Sequence, residues 1–323
     1  MKNVLVTAIG SFSADIVIKG LKREGYNVIG CDVYPKEWLV DAYNVSRFYQ
    51  APYTTNEDGY INFIKDICIK EDIKFILPLT DVEVDVLNKY RESFEEHNIK
   101  ICISDKKVID ICRNKEKLEK YLADKNITRT INTKLMSEVN FSDINYPVVC
   151  KPFNGRSSQG LRYIYSIEEM ENFISTIDVN NYIVQPYIKG NIITVDVVRQ
   201  AYKNEAVAIL RKELLRTQNG AGTSVYVFND EKLQQECIEI ARALNINGCV
   251  NFEFIEDEEG NKHFVECNPR FSGGVEFSCI AGYNFVFNHI KCFKGKSIDK
   301  LNPYKNQYIS RKYTEYITAI EDN

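Results

Sequence analysis

The sequence predicts an α/β protein: an N-terminal unit built on a parallel sheet, followed by a larger unit of mostly antiparallel strands. Three observations carry this prediction. The chain opens with a buried strand, a turn, an amphipathic helix and a second buried strand, the start of a doubly wound sheet. From about residue 182 onward, apolar runs follow one another through short turns, as antiparallel pairs do. A length of 323 residues exceeds one ordinary core and points to two or three compact units.

In the first unit, Asn3 to Ile9 reads as a fully buried strand and Gly10-Ser11-Phe12-Ser13 as a turn. Ala14 to Glu24 has helical spacing (Ile16, Val17, Leu21), and Val28 to Asp32 is a second strand. Asp32 stands where a dinucleotide fold keeps its ribose acid. However, no glycine follows Gly10 until Gly20, so the phosphate fingerprint is missing and NAD binding is disfavoured. A short strand at Arg47 to Ala51, a helix at Tyr60 to Lys70 and a buried strand at Lys74 to Leu79 continue the alternation. Asp81 and Glu83 follow at the carboxyl end of that strand, where open α/β sheets bind ligands. They are candidates for holding a cationic group such as a substrate ammonium, or for capping the next helix. Lys100 to Ser104 closes the unit, and a helix from Asp105 to Cys112 leaves it.

Arg113 to Leu122 is a charged amphipathic helix. Tyr146 to Lys151 is an apolar strand delivering one lysine, and Pro152 should stop its ladder. The loop Phe153 to Gly160, with Gly155, Arg156, Ser157, Ser158 and Gly160, has the make-up to wrap phosphates with its amides. Leu161 to Tyr165 returns as a strand, Ile167 to Ile177 reads as a helix, and Tyr182 to Ile188 as a strand turning at Lys189-Gly190. Ile192 to Arg199 and Glu205 to Arg211 form an antiparallel pair. Residues 212–224 are polar and glycine-rich and predict a mobile loop, and Asp230 to Leu244 is an amphipathic helix.

The strand Cys249 to Ile255, the turn Asp257 to Asn261 and the strand from His263 to Glu266 form a hairpin. Glu253 and Glu266 interrupt its apolar runs, and pairing about the turn sets them nearly opposite, within reach of one shared cation. Glu266, Asn268 and Arg270 alternate and so face one way. A carboxylate and an amide oxygen suit Mg²⁺, and the guanidinium suits a phosphate or another anion. Gly273 and Gly274 let the backbone pass close to what is bound. Val275 to Phe293 predicts one apolar helix, and the Tyr- and Lys-rich tail a last strand.

Composition narrows the function classes. A net charge of −4 argues against nucleic-acid binding driven by overall charge. Ten cysteines occur singly with no CxxC pair, which argues against a zinc or redox site and for a reducing cytosol. The short apolar start meets Asp15 early and reads as a strand, not a secretory signal. No apolar run approaches the ~20 residues of a membrane span. No Ser/His/Asp triad is legible, and His97, His263 and His289 read as structural.

Lys115, the Lys151-Pro152 strand end with its glycine loop, Gln185 to Gly190, Glu253 and Glu266-Cys267-Asn268-Pro269-Arg270 occur in that order. This ordered set resembles the ATP-grasp superfamily, and most of all the branch similar to the carbamoyl phosphate synthetase large subunit, which includes small carboxylate–amine ligases. The resemblance implies a pre-ATP-grasp domain over 1–105, a small lobe with a lid over 106–188, and a large lobe with the metal site over 189–323. It implies that Lys115, Lys151 and the Gly155–Gly160 loop contact ATP phosphates, and that Gln185, Tyr187 and Ile188 line the adenine pocket. Glu253, Glu266 and Asn268 would hold Mg²⁺, with Mn²⁺ as an alternative ion. Arg270 and Arg211 would stabilise the transferred phosphoryl group, and Asp81 and Glu83 would sit near the substrate. The implied activity is a cytoplasmic, ATP-dependent joining of a small carboxylate to an amine, with a homodimer as one assembly option. Two positions depart from the family. Ile192 stands where a ribose-binding glutamate is frequent, and Gln185 where a glutamate is common in the hinge. These departures support the alternative, a non-catalytic nucleotide- or metabolite-binding protein that keeps the fold.

Overall fold

The computed structural model describes residues 2–156, 159–218 and 220–321. The first sheet is built from β1 (Lys2–Thr7), β2 (Tyr26–Asp32), β3 (Arg47–Gln50), β4 (Ile73–Leu77) and β5 (Lys100–Ile101). Between them lie α1 (Ala14–Arg23), α2 (Glu57–Lys70), α3 (Asp81–Lys89) and the single turn α4 (Glu92–Glu95). All its pairs are parallel and the order is β3-β2-β1-β4-β5. Val4, Leu5 and Val6 are buried on both faces, which is why this strand reads as a continuous apolar run. The order reverses between β1 and β4, so the loops at their carboxyl ends form the crevice where such sheets place ligands.

Helices α5 (Lys106–Cys112) and α6 (Lys115–Lys125) lead to a small antiparallel sheet. It holds β6 (Lys134–Leu135), β7 (Val148–Pro152), β8 (Arg162–Ile164) and β9 (Tyr182–Pro186) in the order β6-β9-β7-β8, with α7 (Ile167–Ile174) packed on it. The large sheet holds β10 (Gly190–Gln200), β11 (Glu205–Arg216), β12 (Gly222–Phe228), β13 (Gly248–Asp257), β14 (Lys262–Asn268) and β15 (Gln307–Ser310). Its order is β14-β13-β10-β11-β12-β15. Helix α8 (Glu231–Ala243) puts Leu233, Cys237 and Ile240 on one face of it, beside Leu118 and Leu122 of α6. On the other face, α9 (Val275–Ile280) and α10 (Phe285–Phe293) join the core that includes α1. Gly20 of α1 has no Cβ to hold it off; one there would lie 3.1 Å from Val286 of α10. No helix among the described residues is long and apolar enough to cross a membrane.

Three expectations are corrected. Most of the 212–224 segment is strand and not loop: β11 runs to Arg216 and β12 starts at Gly222, paired antiparallel with register shifts near Glu213 and Leu215, while of the connecting 217–221 residue 219 lies outside the described residues. Its polar composition reflects a hairpin arm that extends past the core, with Leu214 and Leu215 exposed. The apolar stretch from Val275 to Phe293 is two helices, since Gly282 adopts φ +117 and Asn284 caps the second by accepting from Phe287 N–H. Helix α2 starts at Glu57, because the Asn56 side chain accepts from Gly59 N–H and nucleates the turn ahead of the apolar run.

Two buried ionisable groups give the core an opposed pH response. Burial pulls the His289 pKa from 6.5 to about 3; its Nδ1 accepts from Cys249 N–H at 2.8 Å, and Nε2 has no partner among the described residues. The unfolded chain takes a proton below pH 6.5 that the folded core refuses, so this residue removes stability as pH falls. Burial raises the Glu83 pKa from 4.5 to about 7. Its contribution is present in full below 4.5 and is lost as pH rises through 7. Each slope approaches ~1.4 kcal/mol per pH unit, and between pH 4.5 and 6.5 the two largely cancel. Glu83→Gln should therefore unmask the His289 loss. Urea unfolding at pH 6.5 and 5.5 should show the variant losing about 1 kcal/mol more than the parent. Parallel shifts would show that these groups do not set the balance.

Candidate active site

The three sheets meet around a cleft of about 680 Å³. Its walls come from the carboxyl ends of β1 and β4 (Ser11 to Ser13 and Leu79 to Val82), the small sheet and the inner face of the large one.

The charged floor is set by the β13–β14 pairing. Glu253 faces Glu266 in register, and Asn251 faces Asn268, with a register slip just after Glu253. Glu266 Oε2 lies 3.3 Å from Lys115 Nζ, and Glu266 Oε1 accepts from Asn268 Nδ2 at 3.0 Å. Asn268 Nδ2 also lies 3.3 Å from Asn251 Oδ1, while Glu253 Oε1 is 3.5 Å from Arg216 Nη2. Burial pushes the Glu253 carboxyl above its ordinary value, and Glu266 adds to this. Burial acts on Glu266 too, but Lys115 and Lys151 outweigh it and hold that carboxyl well below the usual range. Burial also pulls Lys151 down to about 8 against the attraction of Glu266. Among the described residues, no three His, Cys, Asp or Glu side chains gather as a metal cluster. The candidate donors are two carboxylates and one amide oxygen, a set that suits a hard cation retaining several waters.

Lys115 sits at the start of α6, where the Asn114 side chain caps the helix by accepting from Lys117 N–H. Its Nζ donates to Gly155 O at 2.8 Å, tying the glycine loop to the floor. Gly155 N–H bonds Pro152 O at 3.1 Å, and Gly160 holds φ +70, which a glycine takes without strain. Arg156 reaches to 3.8 Å from Asp85 of α3. Ser157 and Ser158 lie outside the described residues. At the far end, Gln185 is buried with Nε2 donating to Thr133 Oγ1 at 2.6 Å. Tyr187 N–H bonds Pro147 O at 3.1 Å, and its ring meets Tyr163 edge-on at 5.5 Å. With Ile188 and Ile192 in the same wall, this end is apolar and aromatic.

On the opposite side, Arg270 Nη2 donates to Asp81 Oδ2 at 2.7 Å and Nη1 to Phe271 O at 3.0 Å. Arg113 Nη1 is 3.6 Å from Asp81 Oδ1 and grips Asp85 bidentately at 2.7 and 2.9 Å. Burial alone would raise the Asp81 carboxyl, but Arg270 and Arg113 overcome it and hold it down. Asp81 thus lines the cleft facing two guanidinium groups, and its Oδ1 has no hydrogen-bond partner among the described residues. For Glu83 the expected place at the cleft is corrected. It turns away from the cleft, accepting from Tyr60 Oη at 3.0 Å and Thr80 Oγ1 at 2.8 Å inside the first unit. Arg211 is 1% exposed and lines the cleft from below. It is pinned by Asp196, Glu213, Ser272 and Ser278 beneath Gly274. These bonds fix its guanidinium in the floor of the cleft.

Four groups were missed in the sequence. Asn251 lies two positions before Glu253 on the same strand face, so the period of two contained its signal. Asp85, Arg113 and Arg216 carry no such signal, because their partners are far away in the chain or across a hairpin arm.

Comparisons with known proteins agree with this architecture. A family model described as "ATP-grasp in the biosynthetic pathway with Ter operon" matches residues 178–316, and one described as "PylC-like, N-terminal domain" matches residues 4–102. The carbamoyl phosphate synthase large chain of Clostridium acetobutylicum is 22% identical over 298 residues, covering 87% of this chain and 27% of that protein. The chain therefore spans about a quarter of the length of the curated relatives it matches. The biotin carboxylase domain dimer of Hydrogenobacter thermophilus 2-oxoglutarate carboxylase, solved with MgADP, ADP and bicarbonate, superposes with TM-score 0.79 at 19% identity. It covers 95% of this chain and 73% of that one. The L-amino acid ligase of Bacillus licheniformis superposes with TM-score 0.70 at 16% identity, covering 88% of this chain and 72% of that one. The parallel-sheet unit and the two-sheet clamp together have the ATP-grasp fold, and residues 178–316 match an ATP-grasp family model.

Proposed function

We propose that the chain is an ATP-dependent ligase that joins a small carboxylate to an amine through an acyl phosphate. The observation that carries this reading is the charge order along the cleft. Two lysines flank a glycine loop, two paired glutamates with an asparagine lie at the floor, and an arginine held by Asp81 closes the far side. ATP would lie with its base between Gln185, Tyr187, Ile188 and Ile192, and its phosphates along Lys115, Lys151 and the 155–160 loop. Glu253, Glu266 and Asn268 would hold Mg²⁺, which supplies charge neutralisation on the phosphate oxygens when bound. The donor set fits that ion in type and number.

A carboxylate is a poor acylating agent because its leaving group is oxide. Its oxygen attacks the γ-phosphorus, the bond from phosphorus to the β–γ bridging oxygen breaks, and ADP departs. The amine nitrogen then attacks the acyl carbon, the carbon–oxygen bond to phosphate breaks, and phosphate leaves as the nitrogen loses a proton. The protein's part is positioning and electrostatics. Lys115 and Lys151 neutralise the phosphates, Arg270 faces the transferred group, and the glycine loop excludes water from an intermediate that would hydrolyse.

The test is phosphate release from ATP and Mg²⁺ across paired panels of small acids and amines. Release stimulated by one acid with one amine is expected. ADP binding with no release for any pair would instead support a nucleotide-binding protein without turnover.

A further inference from the structure

Among the described residues, two carboxylates lining the cleft keep a buried oxygen without a hydrogen-bond partner: Asp81 Oδ1, which still has the Arg113 guanidinium at 3.6 Å, and Glu213 Oε2. Glu213 on β11 lines the cleft, with its side chain 3% exposed. Oε1 accepts from Arg211 Nε at 3.1 Å, and Oε2 is buried with no partner among the described residues. Its only ion pair among those residues is with Arg211, which is shared with the fully buried Asp196. Two carboxylates thus face one guanidinium, leaving a surplus negative charge that burial makes costly. Asp196 also has an unpartnered oxygen, but it lies beneath the floor and not on the cleft wall. Glu213 is the member of the pair that a bound molecule reaches.

The surrounding cations do not fill this position. Arg216 pairs with Glu253 at 3.5 Å and donates to Gly220 O at 2.8 Å. Arg311 sits over the Phe12 and Phe277 rings and donates to Gly273 O at 2.5 Å. Gly222 on the neighbouring strand leaves the space in which Oε2 rests; a Cβ there would collide with that oxygen. The Arg211 guanidinium that holds Glu213 also donates to Ser272 Oγ at 2.9 Å, two residues from Arg270. Glu213 and Arg270 both act on the Glu253 carboxyl through their charge, so the orphan carboxylate and the group assigned to the acyl phosphate flank the same glutamate.

We propose that Glu213 Oε2 receives the ammonium of the acid substrate, so that the carboxylate activated here belongs to an α-amino acid. This rests on the ligase reading of the same cleft. A charge-assisted bond to a buried carboxylate distinguishes an amino acid from the acid lacking the amine, since the latter leaves Oε2 unpaired.

Hydroxylamine provides a test that needs no knowledge of the natural amine. Its nitrogen attacks the acyl phosphate, releasing phosphate and leaving a hydroxamate. The proteinogenic amino acids and their des-amino counterparts are supplied with ATP and Mg²⁺, and hydroxamate is measured. At least one amino acid should react, at ~10-fold or greater advantage over its des-amino counterpart. Glu213→Gln keeps an oxygen for Arg211 and presents an amide N–H₂ to the ammonium. It should raise KM for the amino acid ~10-fold or more and erase the advantage, with MgADP affinity within about twofold of the parent. Gly222→Ala displaces the carboxylate without altering any charge and should do the same. MgADP binding in the parent with no amino acid reacting, or an advantage that survives both variants, would overturn the assignment of Glu213. Absence of MgADP binding in the parent would overturn the ligase reading itself, and this assignment with it.

Discussion

Replacing Glu266 by glutamine should lower ATP turnover by ~1,000-fold or more while leaving the fold intact. Glu266 is the residue on which the site's charges converge. It faces Glu253 across the β13–β14 pair, accepts from Asn268 at 3.0 Å and lies 3.3 Å from Lys115. In the proposed reaction it is a metal donor, and metal charge stabilisation of a phosphoryl transfer amounts to several kcal/mol, each 1.4 kcal/mol being about tenfold in rate. The amide keeps the volume and an acceptor oxygen, so the Asn268 contact survives. What changes is the local charge, because Lys115 and Lys151 lose the anion that both of them face. The same variant should therefore bind free ADP more tightly than the parent does without Mg²⁺, since two ammonium groups become available to phosphate. Steady-state phosphate release and nucleotide titration together read this prediction. Turnover within tenfold of the parent would remove Glu266 from the metal site.

Asp81→Asn should cost about 3–5 kcal/mol of stability, the range seen when one partner of a buried ion pair is removed. Asp81 is 4% exposed and serves two guanidinium groups, Arg270 at 2.7 Å and Arg113 at 3.6 Å. Neutralising it leaves Arg270 without its ion-pair partner, while Arg113 keeps its bidentate pair with Asp85. The Asp81 pKa is held low by Arg270 and Arg113, so the contribution is complete above the unfolded value near 4 and lost as pH falls below it. Because Arg270 is also oriented by this bond, turnover should fall ~100-fold by the usual scale for misplaced charge-stabilising groups. Urea unfolding at pH 7 and phosphate release measure the two effects separately. A loss under 1 kcal/mol with unchanged turnover would show that the first unit does not hold Arg270 in place.

These two residues mark what the sequence discloses. Glu266 and its neighbours were legible because strand periodicity and a five-residue turn place Glu253 opposite Glu266 by local geometry alone. The parallel unit was legible for a similar reason: buried strands alternate with amphipathic helices and turn at Gly and Asp. The Asp81–Arg270 bond spans 189 positions and joins separate sheets, and no periodicity encodes such a contact. For Asp81 and Glu83, position at a strand end was visible but direction was not. Only the packed structure shows one facing Arg270 and the other facing Tyr60. Arg211 was legible as a conspicuous cation on an apolar strand. Its burial by Asp196, Ser272 and Ser278 depends on elements drawn from three parts of the chain. Composition also misled at 212–216 and 222–224, which are paired strands of a hairpin arm.

In the proposed function, this cleft binds a nucleotide through a metal held by Glu253, Glu266 and Asn268. Calorimetric titration of ADP into the parent, with Mg²⁺ and then with the ion chelated, tests it without any knowledge of the substrates. Saturable one-site binding is expected, weakening at least ~10-fold when Mg²⁺ is removed, and Glu266→Gln should abolish that dependence. Binding of equal strength with and without the ion in the parent, or no binding under either condition, would contradict it.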